Sequence, residues 1–170
     1  MPNYLTRWRR YKISKAPAGQ KRTFDGLLLW GRVVKVYDGD TVTIVTRHPN
    51  DKTAYDYSVR LAGIDTPELR VSKDDPNRVL HKQAGTVARD RLSQKIPVGT
   101  MVIFEGTGED KYSGRLLGKL YLPGTGLFGK RLDLNQWLVD EGLAVEYGGA
   151  TKAGFRASML RNIVAQTSVV

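Results

Sequence analysis

The chain has no cysteine. This excludes disulfide bridges and thiolate metal centres, while the redox compartment stays open. No apolar run approaches the ~20 residues that a membrane-spanning helix needs; the conspicuous one, LLLW at 27–30, is far too short. No secretory core stands near Met1, so an intracellular setting (cytoplasmic, organellar or viral) is expected. Only two histidines occur, His48 and His81. They are far apart in sequence, show no ligand spacing and read as surface residues, which argues against zinc and against a histidine-based nuclease centre. There is no internal repeat and no low-complexity tract. Acids are in short supply beside bases: 17 Asp plus Glu face 27 Lys plus Arg, a formal charge of +10.

That excess favours a polyanionic partner, because neutralising phosphates releases counterions. It is uneven along the chain. Residues 1–30 hold seven bases (Arg7, Arg9, Arg10, Lys12, Lys15, Lys21, Arg22) and one acid, Asp25; the remaining residues hold 20 bases and 16 acids. The first 30 residues thus read as a basic arm, open to three roles: a nucleic-acid-binding arm, a transit-like presequence, or a solvated tail. Residues 31–170 read as one domain, long enough for a genuine core. Nothing signals a protein partner, and a monomer is expected.

Alternation of apolar and polar residues predicts strands over 31–37, 41–47, 54–64, 100–105 and 115–122. Helical periodicity covers 78–96 (Leu80, Ala84, Val87, Ala88, Leu92), stopped by Pro97 and Gly99. Two further helices are expected over 134–141, with Asp133 as N-cap and Gly142 as the stop, and over 152–166. Five short strands with a helix between the third and fourth give the connectivity of an OB-fold barrel, mainly β with about three helices.

Two acidic turns stand just past strand ends: DGDT at 38–41, and RLAGIDTPE at 60–68. A carboxylate there points to the mouth of a sheet. Two of them, with Glu68 and Arg60 close by, suit a hard cation and a phosphate. Gly39 is expected to take positive φ in the first turn, with Asp38 as a turn former. A third string, DKYSGR at 110–115, adds a second guanidinium.

These three strings, in this order, together with LNQWLVDEGLAVEY at 134–147, resemble the staphylococcal nuclease (thermonuclease) family across roughly 31–147. The resemblance implies an OB barrel with three helices and a calcium-dependent endonuclease that cleaves DNA, and RNA, with little sequence preference, leaving 3′-phosphate ends. Position by position, it implies calcium ligands at the Asp40 and Asp65 side chains and the Thr66 carbonyl. It implies a general base at Glu68, phosphate-clamping arginines at Arg60 and Arg115, and nucleotide contacts at Lys111, Tyr112 and Tyr147. Ser113 is an extra residue in the family's Tyr-Gly-Arg string; Gly114 suggests that a loop absorbs it, leaving Arg115 at the strand start. Some family members keep the barrel and lose the site, so a non-catalytic nucleic-acid-binding module is the alternative.

Overall fold

A computed structural model describes residues 23–109, 114–124, 129–148 and 154–169. Strands β1 (Leu28–Asp38), β2 (Thr41–Thr46) and β3 (Tyr55–Leu61) form an antiparallel meander, followed by a short β4 (Ile64–Asp65). Helix α1 (Arg78–Lys95) leads to β5 (Met101–Glu109) and β6 (Leu116–Leu122). Then come β7 (Leu132–Asp133), α2 (Leu134–Asp140), β8 (Val145–Glu146) and α3 (Ala157–Ala165), which runs into a 3₁₀ turn at Gln166–Val169. The sheet order is β3-β2-β1-β5-β6-β7, and a parallel pairing of β3 with β6 closes the first five strands into a barrel. The fold is therefore mainly β with α, a closed five-stranded OB-type barrel with three helices. No helix among the described residues is long and apolar enough to cross a membrane.

Alternating inward residues fill the barrel: Val33, Val42, Ile44, Val59, Leu61, Phe104 and Leu120 are all buried. Each fully buried aliphatic or aromatic side chain contributes about 1.5–3 kcal/mol of transfer free energy. Ala84, Ala88 and Leu92 of α1, Leu134 and Leu138 of α2, and Leu160 and Ile163 of α3 complete the core. Asp133 caps α2 as expected, accepting from the amides of Asn135 and Gln136, and Gly142 ends it at φ +67°. Asn135 joins α2 to the barrel. Its Nδ2 donates to the Ala62 carbonyl at 2.8 Å, and its Oδ1 accepts from the Leu120 amide at 3.2 Å.

Three sequence expectations need correction. His48 is buried, not at the surface: one ring nitrogen sits 3.2 Å from the Thr23 carbonyl, and Phe24 packs edge-on against the ring at 5.0 Å. His81 is also partly covered, beside Asp75 and Phe155. The barrel begins earlier than the charge pattern suggests, because Phe24 is a core residue and β1 starts at Leu28. The single strand expected over 54–64 is two, broken where Gly63 takes φ +77°. That break re-aims the chain so that Asp65 sits on a separate strand, paired with β8.

Strand β1 carries two bulges, at Val34 and Tyr37, where its register with β2 slips by one residue. A one-residue slip exchanges the two faces of a strand. Before the first bulge Gly31 and Val33 point inward; after it Lys35 and Tyr37 are exposed and Val36 packs on the core.

Candidate active site

Three pieces of chain meet where β1 turns into β2. In the DGDT turn, Asp38 Oδ1 accepts from the Asp40 amide at 3.3 Å, a local bond that shapes the turn. Gly39 has no positive φ, contrary to expectation. Its reason is proximity: a Cβ there would lie 2.9 Å from both the Ala88 Cβ and the Thr66 side chain. Gly85 on α1 plays the matching part, since a Cβ there would lie 2.6 Å from the Pro67 carbonyl oxygen. Small residues on α1 thus let the Thr66–Leu69 segment and the DGDT turn press onto one helix face.

Arg60 stands at the centre. Register places it opposite Thr41 of β2 and Leu117 of β6. Its Nη1 meets Asp40 Oδ2 and its Nη2 meets Asp65 Oδ1, both at 2.9 Å. Those carboxylates are 5% and 2% exposed, so this is a buried ion triad, not a surface pair. The Thr41 hydroxyl donates to Asp40 Oδ1 at 3.0 Å and accepts a long bond from Arg115 Nη1 at 3.4 Å, linking the second guanidinium to the first carboxylate. Gly114, at φ +65°, precedes Arg115 just before β6, while residues 110–113 of that string, Ser113 included, lie outside the described residues.

Glu68 follows buried Thr66 and Pro67 and forms part of the wall between two clefts. One, of about 650 Å³, includes Lys35, Tyr37, Arg70, Arg89 and Arg115. The other, of about 490 Å³, includes Asp65, Thr66, Asp75 and His81. Tyr147 is not in either. Its amide donates to the Gly63 carbonyl at 2.9 Å, and it lines a third cleft with Lys119 and Gln136. Lys111 and Tyr112 lie outside the described residues. Thr41 is a residue that strand reasoning passes over; its place inside DGDT, next to a carboxylate, is the signal that points to it.

Burial pushes the Asp40 carboxyl up to about 7, against the pull of the Arg60 guanidinium and with added repulsion from Asp38. Burial alone would lower Arg60, yet Asp40 and Asp65 hold it above its ordinary value. Two buried carboxylates are hard oxygen donors of the kind calcium takes, and a cation beside them would relieve that repulsion. The donors fit such an ion. Among the described residues no three His, Cys, Asp or Glu side chains cluster to hold a metal, so protein carboxylates would fill only part of a coordination shell.

The profile of the family described as staphylococcal nuclease homologue matches residues 58–166. The chain belongs to that family. The match runs from β3 to the end of α3 and takes in Arg60, Asp65, Thr66, Glu68 and Arg115 of this nuclease homologue, while the DGDT turn lies just before it. Comparison with individual curated proteins gives no significant match.

The triad sets a pH dependence. An acid whose folded pKa is about 7, against 3.8 unfolded, keeps its proton in the native state after the unfolded chain has lost it. Its contribution to stability therefore falls as pH rises from about 4 to about 7. In the presence of a chelator, Asp40→Asn removes this loss. The stability of the variant relative to the parent chain should therefore rise as pH goes from about 4 to about 7, whatever the offset from losing one partner of the triad. Urea midpoints of the two proteins across that range check it; a relative stability that falls as pH rises contradicts it.

Proposed function

We propose that the chain is a calcium-dependent nuclease, an endonucleolytic phosphodiesterase that hydrolyses DNA, and RNA, with little sequence preference and leaves 3′-phosphate ends. The observation that carries this reading is the Asp40–Arg60–Asp65 triad: two buried carboxylates held together by one guanidinium at the barrel mouth. The side chains of Asp40 and Asp65 and the Thr66 carbonyl would hold the ion. When bound, calcium would supply positive charge to polarise the phosphoryl oxygen. Glu68 orients the attacking water and takes up its proton. Among the described residues Arg60 places two of its five N–H donors on the carboxylates, and the guanidinium groups of Arg60 and Arg115 stabilise charge on the phosphoryl oxygens as the 5′ oxygen leaves. Tyr147, Lys111 and Tyr112 contact the nucleotide. Low sequence preference follows, because such a site handles phosphate and not base edges. Residues ahead of the barrel add basic charge that holds the polyanion.

The alternative is a non-catalytic nucleic-acid-binding barrel, favoured by the engagement of Arg60 with both carboxylates. Supercoiled plasmid separates the two. With calcium the chain should nick and linearise it, and with chelator it should not; binding without cleavage in both conditions refutes the nuclease reading.

A further inference from the structure

The two clefts beside Glu68 differ sharply in charge. The 490 Å³ cleft has the carboxylates of Asp65, Glu68 and Asp75 in its wall against a single arginine, Arg70. In the 650 Å³ cleft Lys35, Arg70, Arg89 and Arg115 outnumber Asp38 and Glu68. Its cations come from separate parts of the fold. Lys35 is turned outward by the β1 bulge at Val34, Arg70 follows Glu68 by two residues, and Arg89 projects from α1. The nuclease reading uses Arg115 alone among them.

We propose that this cleft is a second phosphate subsite, in which Lys35, Arg70 and Arg89 hold the phosphate next to the scissile one in a polynucleotide strand. It rests on the nuclease reading for the position of the scissile phosphate, and it extends that reading from a single diester to a strand of several nucleotides. The volume lies within the ~300–1,000 Å³ usual for ligand sites. Arg89 pairs at 2.7 Å with Asp90, whose side chain is 52% exposed. Exposed pairs of that kind are worth only about 0–1 kcal/mol, so a phosphate displaces the carboxylate at little expense. Tyr37 lines the same cleft and is 43% exposed, with the Lys35 Nζ 5.4 Å from its ring centroid. An exposed ring beside a phosphate-binding lysine is a stacking platform for the attached base. Among the described residues the acidic cleft on the other side of Glu68 offers no such cluster, which favours placing the additional phosphate on the Lys35 side.

The test is fluorescence anisotropy of a labelled oligothymidylate, in chelator, across a salt series. The variants are the triple Lys35→Gln, Arg70→Gln, Arg89→Gln and a control triple of equal charge, Arg47→Gln, Lys52→Gln, Arg161→Gln, at exposed positions outside the cleft. Thermal unfolding confirms that both triples fold. The cleft triple should bind about tenfold more weakly and lower the salt slope by about 0.7 for each phosphate it no longer neutralises, while the control stays near the parent chain. Equal weakening by both triples, or parent-like binding by the cleft triple, overturns the subsite. Plasmid cleavage by the parent chain is scored separately. Weakened binding in the cleft triple without parental cleavage keeps the subsite and rejects the nuclease reading.

Discussion

Replacing Arg60 with alanine should lower the rate of cleavage at saturating substrate by at least about 10²-fold, the scale of losing one preorganised electrostatic group. Arg60 has two duties, and the substitution removes both. It would no longer stabilise charge on the phosphoryl oxygens, and it would leave Asp40 and Asp65, each 2.9 Å from the lost guanidinium, facing one another in a buried site. Removing one partner of a buried ion group destabilises by about 3–5 kcal/mol. Arg60→Lys is the sharper variant, since one ammonium cannot reproduce a fork that reaches two carboxylates at once. Glu68→Gln separates chemistry from stability. Glu68 lies at the cleft wall and is half-buried, and glutamine keeps the side chain's shape, so this variant should lose a comparable factor in rate with a smaller loss of stability than Arg60→Ala. Steady-state cleavage alongside urea titration checks both; near-parental rates in Arg60→Lys and Glu68→Gln together refute these roles.

Gly118→Ala should prevent stable folding altogether. Gly118 sits where the barrel closes, opposite Leu61 of β3 and Gly106 of β5. A Cβ there would fall 2.3 Å from the Glu105 carbonyl oxygen and 2.4 Å from the Phe104 ring. Neither can yield cheaply, because one is backbone in a central strand and the other is a fully buried core side chain. The Gly118 carbonyl also accepts from the Ala62 amide at 2.7 Å, a bond that ties the chain just beyond β3 to β6. A loss above about 4 kcal/mol is exceptional for one residue and is a large share of the ~5–15 kcal/mol that stabilises a typical domain. Circular dichroism melting should show little or no cooperative transition. A transition within a few degrees of the parent chain would mean that the closure tolerates a methyl group. The same closure sets Arg60 beside Leu117, two residues from Arg115, so any folded Gly118→Ala protein should also lose activity.

Much of this architecture is legible in the residues because alternation and capping are local. The five barrel strands, α1 ending before Pro97, and the Asp133 cap all follow from short-range patterns. What escapes is what depends on distant packing. Nothing local says that His48 lies under Phe24, or that Phe24 belongs to the core at all. Gly39 looks like a turn glycine, yet α1 and Thr66 crowd it from residues far along the chain. The bulge at Val34 cannot be read from GRVVKVY, and without it Lys35 has no reason to face the cleft. At the site, Asp40 and Asp65 both meet the Arg60 guanidinium. The bond from Arg115 to Thr41 and the basic cleft arise only when β3 and β6 pair and α1 packs across the mouth.

If Asp40, Asp65 and Arg60 form one place for a cation and a phosphodiester, calcium must bind there and nowhere else with comparable strength. The decisive experiment is calorimetric titration of calcium, with a cleavage-resistant phosphorothioate oligonucleotide present, into the parent chain and into the Asp40→Asn, Asp65→Asn double variant. A single saturable binding event in the parent chain should vanish in the double variant; equal calcium binding by the two proteins would contradict the shared site.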